Sequence, residues 1–489
     1  MNRTDNRMAR ISYFLTPLAA LLLLSSCKVV GPNYQRPAAP VPPAFKEAPP
    51  DGWKEAAPSD ATLKGKWWEL YNDPDLNALE EQVAISNQNV LQAAAQFREA
   101  RESIRIARSA LFPAVTTAPA ISTSRAASTS GRSAGETNSF SIPFDFSYQV
   151  DLWGSLHRGV QAAVDTAQAS AAQLENIRLL YQSDLAIDYF LLHGTDGDMD
   201  LLERNVKSYD EYLTLTKNRF AGGVATGGDV AQAQTQLETT RAQLIDLGIA
   251  RAQYEHAIAI LTGKPPAALS IPRKLLSIPP PPIPVAVPTA LLERRPDIAA
   301  AERTMAAANE QVGIATAALY PSLNLSVAAG LQGTSLLNLF TWPARFWSVG
   351  PAVSQTLYDA GKRRAQVRLE ESAFDATVAG YRQTVLTAFQ QVEDSLSALR
   401  ILEQEAKAVD DAVRAAEQSL TISTAQYKAG TATYLQVITA QTFALQNERS
   451  AVDVLTRRLN SSVLLIEAMG GGWDSSLLPS RRDLGAGGK

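Results

Sequence analysis

The side chains that most often carry out chemistry, those of histidine and cysteine, are few in this chain of 489 residues. His157, His193 and His256 lie far apart, each inside a helical pattern, and no HExxH, GxSxG or P-loop motif occurs. Asp and Glu recur three or four residues from basic side chains along helix faces, which is the usual arrangement of solvated charges. The pattern predicts a protein that is not an enzyme and that uses neither a metal ion nor a cofactor.

Cys27 is the single cysteine, and it lies at the end of an N-terminal targeting segment. The basic start of this segment contains Arg3, Arg7 and Arg10. An apolar run follows that is too short for a comfortable transmembrane helix, and it ends in Leu24-Ser25-Ser26-Cys27, which resembles a bacterial lipobox. We therefore expect residues 1–26 to be a signal peptide and Cys27 to carry the acyl chains (palmitate) of a lipoprotein. The residue after the cysteine is Lys28 rather than Asp, which by resemblance to bacterial lipoproteins implies sorting to the outer membrane of a Gram-negative bacterium.

The composition predicts long helices rather than several globular domains. Ala, Gln, Leu, Glu and Arg dominate long tracts with few aromatic residues, as in helices packed side by side. The formal net charge of −4 is small and basic residues are interspersed with acidic ones, so no nucleic-acid-binding surface is indicated. Proline recurs between Gly31 and Pro58, and residues 27–66 are expected to form an extended lipidated strap.

The stretch from Phe140 to Leu152 alternates between apolar and polar side chains, which is the period of a β-strand. Its length suits a tilted strand that crosses a bilayer, where about 9 to 11 residues suffice. The polar face would line a water-filled lumen with Asp145, Gln149 and Asp151. Tryptophans at the strand ends would form an interfacial girdle, namely Trp153, Trp342 and Trp347.

Long helical patterns connect the predicted strands. Apolar and small residues at heptad spacing between Leu76 and Leu111 predict a first helix, which Phe112-Pro113 ends. A weakly alternating strand to about Thr123 follows. The stretch from Gly154 to Phe220 contains almost no Pro or Gly and predicts a helix of about 100 Å. Another uninterrupted heptad pattern runs from Phe374 to Leu420.

The second half of the chain repeats the plan of the first at an offset of 207 residues, for example 361 − 154. The equivalent pairs are Gly154/Gly361, Phe220/Tyr427, Gly223/Gly430, Thr226/Thr433, Gln234/Gln441 and Gly263/Gly470. Each repeat is expected to contain a helix, a β-hairpin, a long helix, a tip and a return helix.

These patterns divide the mature chain into two repeats with a linker between them. The first repeat covers 67–263, with a hairpin at about 112–152 and a tip at about 220–229. The second covers 289–469, with a hairpin at about 320–358 and a tip at about 427–436. A Pro-rich linker is placed at 264–288 and a flexible tail at 470–489.

Four predicted strands per chain cannot close a barrel, and an open sheet edge finds no hydrogen-bond partners in lipid. Two copies would give eight strands with a filled interior, whereas three would give twelve strands around an open lumen. The polar strand face favours three copies. We therefore expect a mainly α-helical fold with two internal repeats, whose trimer forms a 12-stranded membrane β-barrel continuous with a long periplasmic α-helical coiled-coil barrel.

Several separated motifs resemble the TolC-like outer membrane factor family, in the lipoprotein branch that serves tripartite drug-efflux systems. They are Cys27 to Tyr34, Trp67-Trp68 to Asp73-Pro74, Leu291 to Ile298 with Ala301-Glu302, and Gly313 to Pro321. The resemblance implies a homotrimer in the outer membrane that extends into the periplasm. There it would dock through a periplasmic adaptor (membrane fusion protein) onto an inner-membrane pump of the resistance-nodulation-division (RND) type. Its implied function is that of an exit duct for small molecules such as drugs, with a role in multidrug resistance.

The resemblance also implies a gate at the periplasmic tips, where acidic, basic and tyrosine residues hold the closed state. Asp229 matches the aspartate of the first tip, and Tyr427 matches the tyrosine of the second. Where some relatives place an arginine and two aspartates, this chain has Ala432, Gln436 and Thr439. A closed state held by an arginine–aspartate network is therefore not expected, and hydrogen bonding, packing or a looser gate takes its place.

The same tip residues also match local helix signals. Thr226-x-x-Asp229 and Thr433-x-x-Gln436 match capping boxes that start the return helices, and Asp229 is expected to be mainly a cap with pore lining as a compatible second role. Gly223 and Gly430 suit the left-handed position after a helix. Together with Gly222, these glycines form the tip turns at which the family contacts its adaptor.

Two other functions stay open on the sequence alone. A type I protein-secretion duct would share the architecture, although the lipobox and Arg294-Arg295-Pro296-Asp297 favour drug efflux. A structural or adhesive coiled-coil lipoprotein would explain the heptads, but not the paired alternating hairpins or the 207-residue repeat. The cargo and the partner pump are not encoded in any visible motif, because in this family the pump selects the substrate.

Overall fold

The computed structural model describes residues 29–47, 65–125, 135–283 and 288–485. The first half contains α1 (Pro74–Ser86), α2 (Gln88–Ser109), β1 (Ala114–Thr117), β2 (Ala120–Arg125), β3 (Glu136–Val150), α3 (Ser155–Ala221) and α4 (Gly227–Leu261). The second half contains α5 (Pro288–Arg294), α6 (Pro296–Ala317), β4 (Ser322–Gly333), β5 (Arg345–Ser354), α7 (Lys362–Ala429) and α8 (Tyr434–Ala468). The predicted signal peptide and Cys27 lie outside the described residues.

The two halves share one architecture. The long helices α3 and α7 have 67 and 68 residues, and the return helices α4 and α8 have 35 each. Gly154 and Gly361 precede the long helices with φ of 79° and 85°, and Gly223 and Gly430 follow them with φ of 73° and 77°. Glycine adopts this left-handed conformation without the cost that other residues incur. The offset of 207 residues therefore relates positions of the same conformation.

The strands form one antiparallel sheet in the order β1/β2, β3, β4, β5. β1 and β2 both pair with the same edge of β3, so the strand predicted up to about Thr123 is interrupted. Pro119 lies in the gap and has no N–H to donate to the ladder. β3 pairs with β4 from Phe140 opposite Gly333 to Val150 opposite Leu323, which joins the hairpins of the two repeats.

The register of the sheet separates an apolar face from a polar face. One cross-strand row consists of Val115, Phe146, Val327 and Val349. The neighbouring row, on the opposite face, consists of Thr116, Asp145, Ala328 and Ser348. Paired residues share a face and successive residues alternate, so the pattern read from β3 extends across the sheet. Within the described ranges, no α-helix combines the length and apolar composition needed to cross a membrane.

The first helical segment is broken, contrary to the predicted continuous helix from Leu76 to Leu111. α1 ends at Ser86, and Asn87 has extended backbone angles and caps α2 by accepting hydrogen bonds from Asn89 N at 2.9 Å and Val90 N at 3.2 Å. The Asn87 side-chain amide also donates to Leu261 O, at the end of α4, at 2.9 Å. The prediction of a continuous helix was wrong because the spacing of apolar residues gives no sign of a single capping residue within it.

Arg295 occupies the corresponding break between α5 and α6. Pro296 follows it and disfavours the helical conformation at Arg295. The guanidinium donates to Ala468 O, at the end of α8, at 2.8 Å, and pairs with the Asp297 carboxylate at 2.7 Å. Asn87 and Arg295 therefore have equivalent roles in the two repeats, since the side chain of each donates a hydrogen bond from a helix break to the last carbonyl of a return helix.

The linker between the repeats is attached to the helical core. Ile271 N donates to Glu255 Oε1 at 2.6 Å, and Ile271 O accepts from Arg251 at 2.7 Å. Lys274 Nζ lies 2.8 Å from the buried carboxylate of Asp73. The core beneath contains the largest fully buried aromatic residues of this region, Trp67, Tyr71, Tyr189, Phe190 and Tyr381.

The C-terminal tail packs on the helices as far as residue 485, so the prediction of a flexible tail is wrong there. The exposed fraction is 8% for Trp473 and 4% for Leu484. Trp473 packs with alanines of α3 and α6, and Leu484 packs near Ile104 of α2. Pro479 O accepts a hydrogen bond from Gln168 at 3.0 Å. Leu478 packs against the same cluster as Trp473, so burial of these apolar side chains favours docking of the Gly- and Ser-rich segment.

Candidate functional site

The first tip joins α3 to α4 through a reciprocal capping box. Thr226 Oγ1 accepts from Asp229 N at 3.2 Å, while the Asp229 carboxylate accepts from Thr226 N at 2.8 Å and from Thr226 Oγ1 at 2.9 Å. Both orphan N–H groups at the start of α4 are thereby satisfied. Gly222 and Gly223 form the exposed turn, where Gly223 N donates to Phe220 O at 2.9 Å. The capping role predicted for Asp229 is present.

The second tip joins α7 to α8 and lacks the predicted capping box. Thr433 precedes α8, but its side chain makes no capping hydrogen bond. Gln436 N donates to the Thr433 carbonyl at 3.2 Å instead, and the Gln436 side chain is exposed. The box prediction was wrong at this tip because the motif fixes the residue types and not the direction in which the side chains turn. Gly430 has the predicted left-handed conformation.

Tyr427 lies in a buried aromatic cluster between the two tips. Its exposed fraction is 4%, and its ring centre lies 5.3 Å from that of Tyr434. Tyr209, Leu213 and Val437 complete the buried cluster together with Tyr434, Ala233 and Leu237. Burial raises the pKa of Tyr434, and it raises the pKa of Tyr209 to about 12, so both hydroxyls are neutral at physiological pH. The contact between the tips of one chain is therefore mainly an apolar and aromatic one.

Arg219 is a tip residue that the motif comparison did not single out. It lies on the last turn of α3 and reaches across to the end of α7, where it donates to Tyr427 O at 3.1 Å. Its guanidinium carbon is 4.6 Å from the centre of the Tyr427 ring. The available signal was a basic residue in the last turn of a helix next to a predicted tip, which is typical of helix C-termini in general.

A second cluster lies at the junction of the strands and the long helices. Arg158 and Glu310 form a buried ion pair at 2.7 Å, and Arg158 also donates to Val30 O at 2.9 Å and Pro32 O at 3.1 Å. Val30 N donates to Trp153 O at 3.2 Å. The described part of the strap, which starts at Val29, therefore runs beside the end of β3.

Of the predicted lumen residues, Asp145 and Gln149 lie in β3 with exposed side chains. Asp151 lies beyond the strand, which ends at Val150, so its predicted strand position is wrong. The Asp151 carboxylate accepts a hydrogen bond from His157 N at 3.0 Å and lies 2.7 Å from His157 Nδ1. It thereby satisfies one of the free N–H groups at the start of α3.

These features define a class of protein: a channel of the TolC-like outer membrane type, with two repeats of long helical hairpins attached to a shared sheet. The solved structure of the outer-membrane channel OprN matches with a TM-score of 0.84 and 28% identity, covering 91% of this chain and 99% of that one. The chain belongs to the outer membrane efflux protein family, whose model matches residues 79–264 and 287–471. The two matched segments correspond to the two repeats.

Curated relatives of similar length support the same assignment. The chain is 29% identical over 455 residues to the probable efflux pump outer membrane protein TtgC of Pseudomonas putida, which covers 92% of this chain and 94% of TtgC. It is 29% identical over 484 residues to the outer membrane protein OprJ of Pseudomonas aeruginosa, covering 96% and 97%. The protein is an outer membrane efflux channel, and its family is not one of enzymes.

Proposed function

We propose that three copies of this chain form an exit duct that carries small molecules such as drugs across the outer membrane. The observation that carries the proposal is the open sheet: in the part of the chain that the structure describes, no strand continues beyond β1/β2 or beyond β5. Unpaired edges are not tolerated in lipid, so neighbouring copies must complete them. Three copies close a 12-stranded barrel, and the long helices extend it into the periplasm.

The two sheet faces fit this assembly. The apolar row that contains Phe146 and Val327 would face lipid, and Asp145 and Gln149 would face the water-filled lumen. Trp342 and Trp347 have exposed fractions of 75% and 77%, as side chains of an interfacial girdle would have in an isolated chain. Trp153 stacks on Tyr320 at 4.7 Å and would lie at the periplasmic boundary.

The lipid anchor fits the same orientation. Val30 N donates a hydrogen bond to Trp153 O, just after β3. Because this end of the sheet would lie at the periplasmic boundary of the membrane, Cys27 would lie within reach of the periplasmic leaflet. Acyl chains on Cys27 would then add about 0.8 kcal/mol per buried CH₂ group to membrane anchoring. From there the strap follows α6 and α7, where Tyr34 donates to Glu302 at 2.6 Å and Glu47 pairs with Arg400 at 2.6 Å.

The tips are the proposed gate and the contact with the periplasmic adaptor, which links the duct to an RND-type inner-membrane pump. Gly222, Gly223 and Gly430 are exposed in turns that an adaptor can reach. In the gate, Asp229 and Thr226 fix the first tip, while Tyr427, Thr433 and Gln436 belong to the second. With alanine at position 432, the resting state depends on packing around Tyr427 rather than on ion pairs.

The test is the oligomeric mass of the detergent-solubilised protein together with its conductance in planar bilayers. A trimer with conductance is expected, and cells that lack their own duct should regain drug efflux when the chain is supplied with a cognate adaptor and pump. A monomer without conductance under any condition would overturn the proposal. Mass spectrometry of the N-terminal peptide, with Cys27→Ala as control, tests the acyl anchor separately.

A further inference from the structure

We propose that Arg219 is a positioning residue of the gate, because it fastens the second tip to the first tip of the same chain. The role deepens the proposed channel function and rests on it. Among the described residues, Arg219 forms no ion pair with an acidic side chain at the tips. It acts on the backbone and the aromatic ring at the end of α7.

The contacts of Arg219 combine a helix cap with a cation–π interaction. Nη1 donates to Tyr427 O at 3.1 Å and to Lys428 O at 3.4 Å. These carbonyls lie in the last turn of α7, at the negative end of the helix dipole, and Tyr427 O also accepts a hydrogen bond from Gly430 N at 3.0 Å. The guanidinium also lies over the Tyr427 ring at 4.6 Å. One side chain of α3 therefore holds both the end of α7 and its last large aromatic ring.

Among the described residues, no side chain from the end of α7 makes an equivalent contact with the end of α3. The repeat equivalent of Arg219 is Gln426, and that of Tyr427 is Phe220, since 426 − 219 and 427 − 220 are both 207. Phe220 has an exposed fraction of 52%, compared with 4% for Tyr427. The backbone closes the last turn of both long helices in the same way, with Val224 N donating to Arg219 O at 2.8 Å and Thr431 N donating to Gln426 O at 3.0 Å. The two tips therefore differ in the side-chain contact that Arg219 adds at the end of α7.

The aromatic ring of Tyr427, rather than its hydroxyl, carries this contact. The hydroxyl lies 3.4 Å from Thr216 Oγ1, which is long for a bond between two hydroxyls. The ring lies near Tyr434 as well as the guanidinium. Tyr427→Phe should therefore keep the fastening, whereas Tyr427→Leu should lose it. This separates the inference from a gate in which the tyrosine hydroxyl bonds an aspartate.

The first test is amide hydrogen exchange of the full-length protein in detergent. Gly430 N and Thr431 N donate to Tyr427 O and Gln426 O, both at 3.0 Å, and report on the second tip. Arg219→Ala should accelerate the exchange of these two amides about tenfold, because the variant loses both the charge at the C-terminal end of the α7 dipole and the cation–π contact with Tyr427. Arg219→Lys should restore part of the protection, since the charge remains but the planar fork does not. The matched control is Arg241→Ala, whose partners are Asp210 and Glu238 on the exposed surface.

The second test is single-channel recording of the same variants. Arg219→Ala and Tyr427→Leu should open more often than wild type, and Tyr427→Phe and Arg241→Ala should not. Unchanged exchange in Arg219→Ala would overturn the fastening, whatever the conductance. Faster exchange with unchanged opening would overturn its role in the gate. Absence of conductance in the wild-type trimer would overturn the channel proposal, while the exchange data would still decide whether Arg219 holds the tip.

Discussion

Replacing Glu80 by leucine should stabilise the protein, and the gain should grow as the pH rises. Glu80 lies on α1 with an exposed fraction of 0%, and neither carboxylate oxygen has a hydrogen-bond partner among the residues that the structure describes. Burial raises the pKa of this carboxyl well above its usual value. The side chain is therefore held protonated and unpaired inside the apolar core.

The sign of the pH dependence follows from the raised pKa. Below the pKa of the unfolded chain, about 4.3, both states are protonated and only the unpaired neutral group costs stability, by about 1–3 kcal/mol. Above that pH the unfolded state releases the proton while the folded state keeps it, so stability falls until the folded pKa is reached. Leucine removes both effects. The gain in unfolding free energy should be about 1–3 kcal/mol in acid and larger near neutrality.

The assay is thermal unfolding in detergent at about pH 5, close to the pKa of the unfolded carboxyl, and at about pH 8, well above it. Glu80→Gln should lose the pH-dependent part and keep the cost of an unpaired polar group. The control Glu81→Leu removes an exposed pair with Lys66 and should change stability by less than about 1 kcal/mol. An equal melting difference between Glu80→Leu and wild type at both pH values would refute the reasoning.

Three further predictions concern the ties between distant segments. Arg158→Ala leaves Glu310 buried without its partner, which should lower the unfolding free energy by about 3–5 kcal/mol and expose the strap to limited proteolysis. The matched control is an alanine substitution of the exposed Arg105. A strap that stays protected in Arg158→Ala would contradict the role of Arg158 in holding it. Asn87→Ala should lower the unfolding free energy by about 1–2 kcal/mol through loss of the α2 cap. Asn87→Ser should cost less, because the serine hydroxyl keeps the cap and loses only the bond to Leu261. Equal losses for the two variants in chemical denaturation would argue against the cap. Burial raises the pKa of Asp73, but bonds from Lys274 and Tyr189 outweigh it and lower the pKa below its usual value. The stability that the ionised Asp73 contributes is present above the pKa of the unfolded carboxyl and is lost as the pH falls through the folded pKa. Asp73→Asn should therefore flatten the drop in melting temperature below about pH 4. A drop as steep as that of wild type would exclude this carboxylate as its source.

Local signals predicted the elements, and contacts across the fold decided their details. The helix from Gly154 to Phe220 is present as Ser155–Ala221, because a long run without Pro or Gly is a local property. The capping box at Thr226 is present for the same reason. Asn87 was hidden in an otherwise regular heptad pattern, since its role depends on the Leu261 carbonyl, 174 residues away. The tail was misjudged because its composition is loop-like and its grooves are made by α2, α3 and α6.

The two tips show the same division. Their positions could be predicted, because left-handed glycines and return-helix caps mark each turn within a few residues. The contact between them could not, because Arg219 and Tyr427 lie 208 residues apart in the chain, on helices of different repeats. Their repeat equivalents, Gln426 and Phe220, form no such pair among the residues that the structure describes.

The sequence by itself determined the two repeats, the alternating strand faces, the long helices and the family, because periodicity and left-handed glycines act over a few residues. The tertiary structure alone decided which breaks in the helices are bonded, where the strap and tail pack, and which tip residues meet. Those choices depend on side chains from distant segments reaching one another after the helices have packed. A short sequence window contains one partner of each such pair and leaves the other undefined.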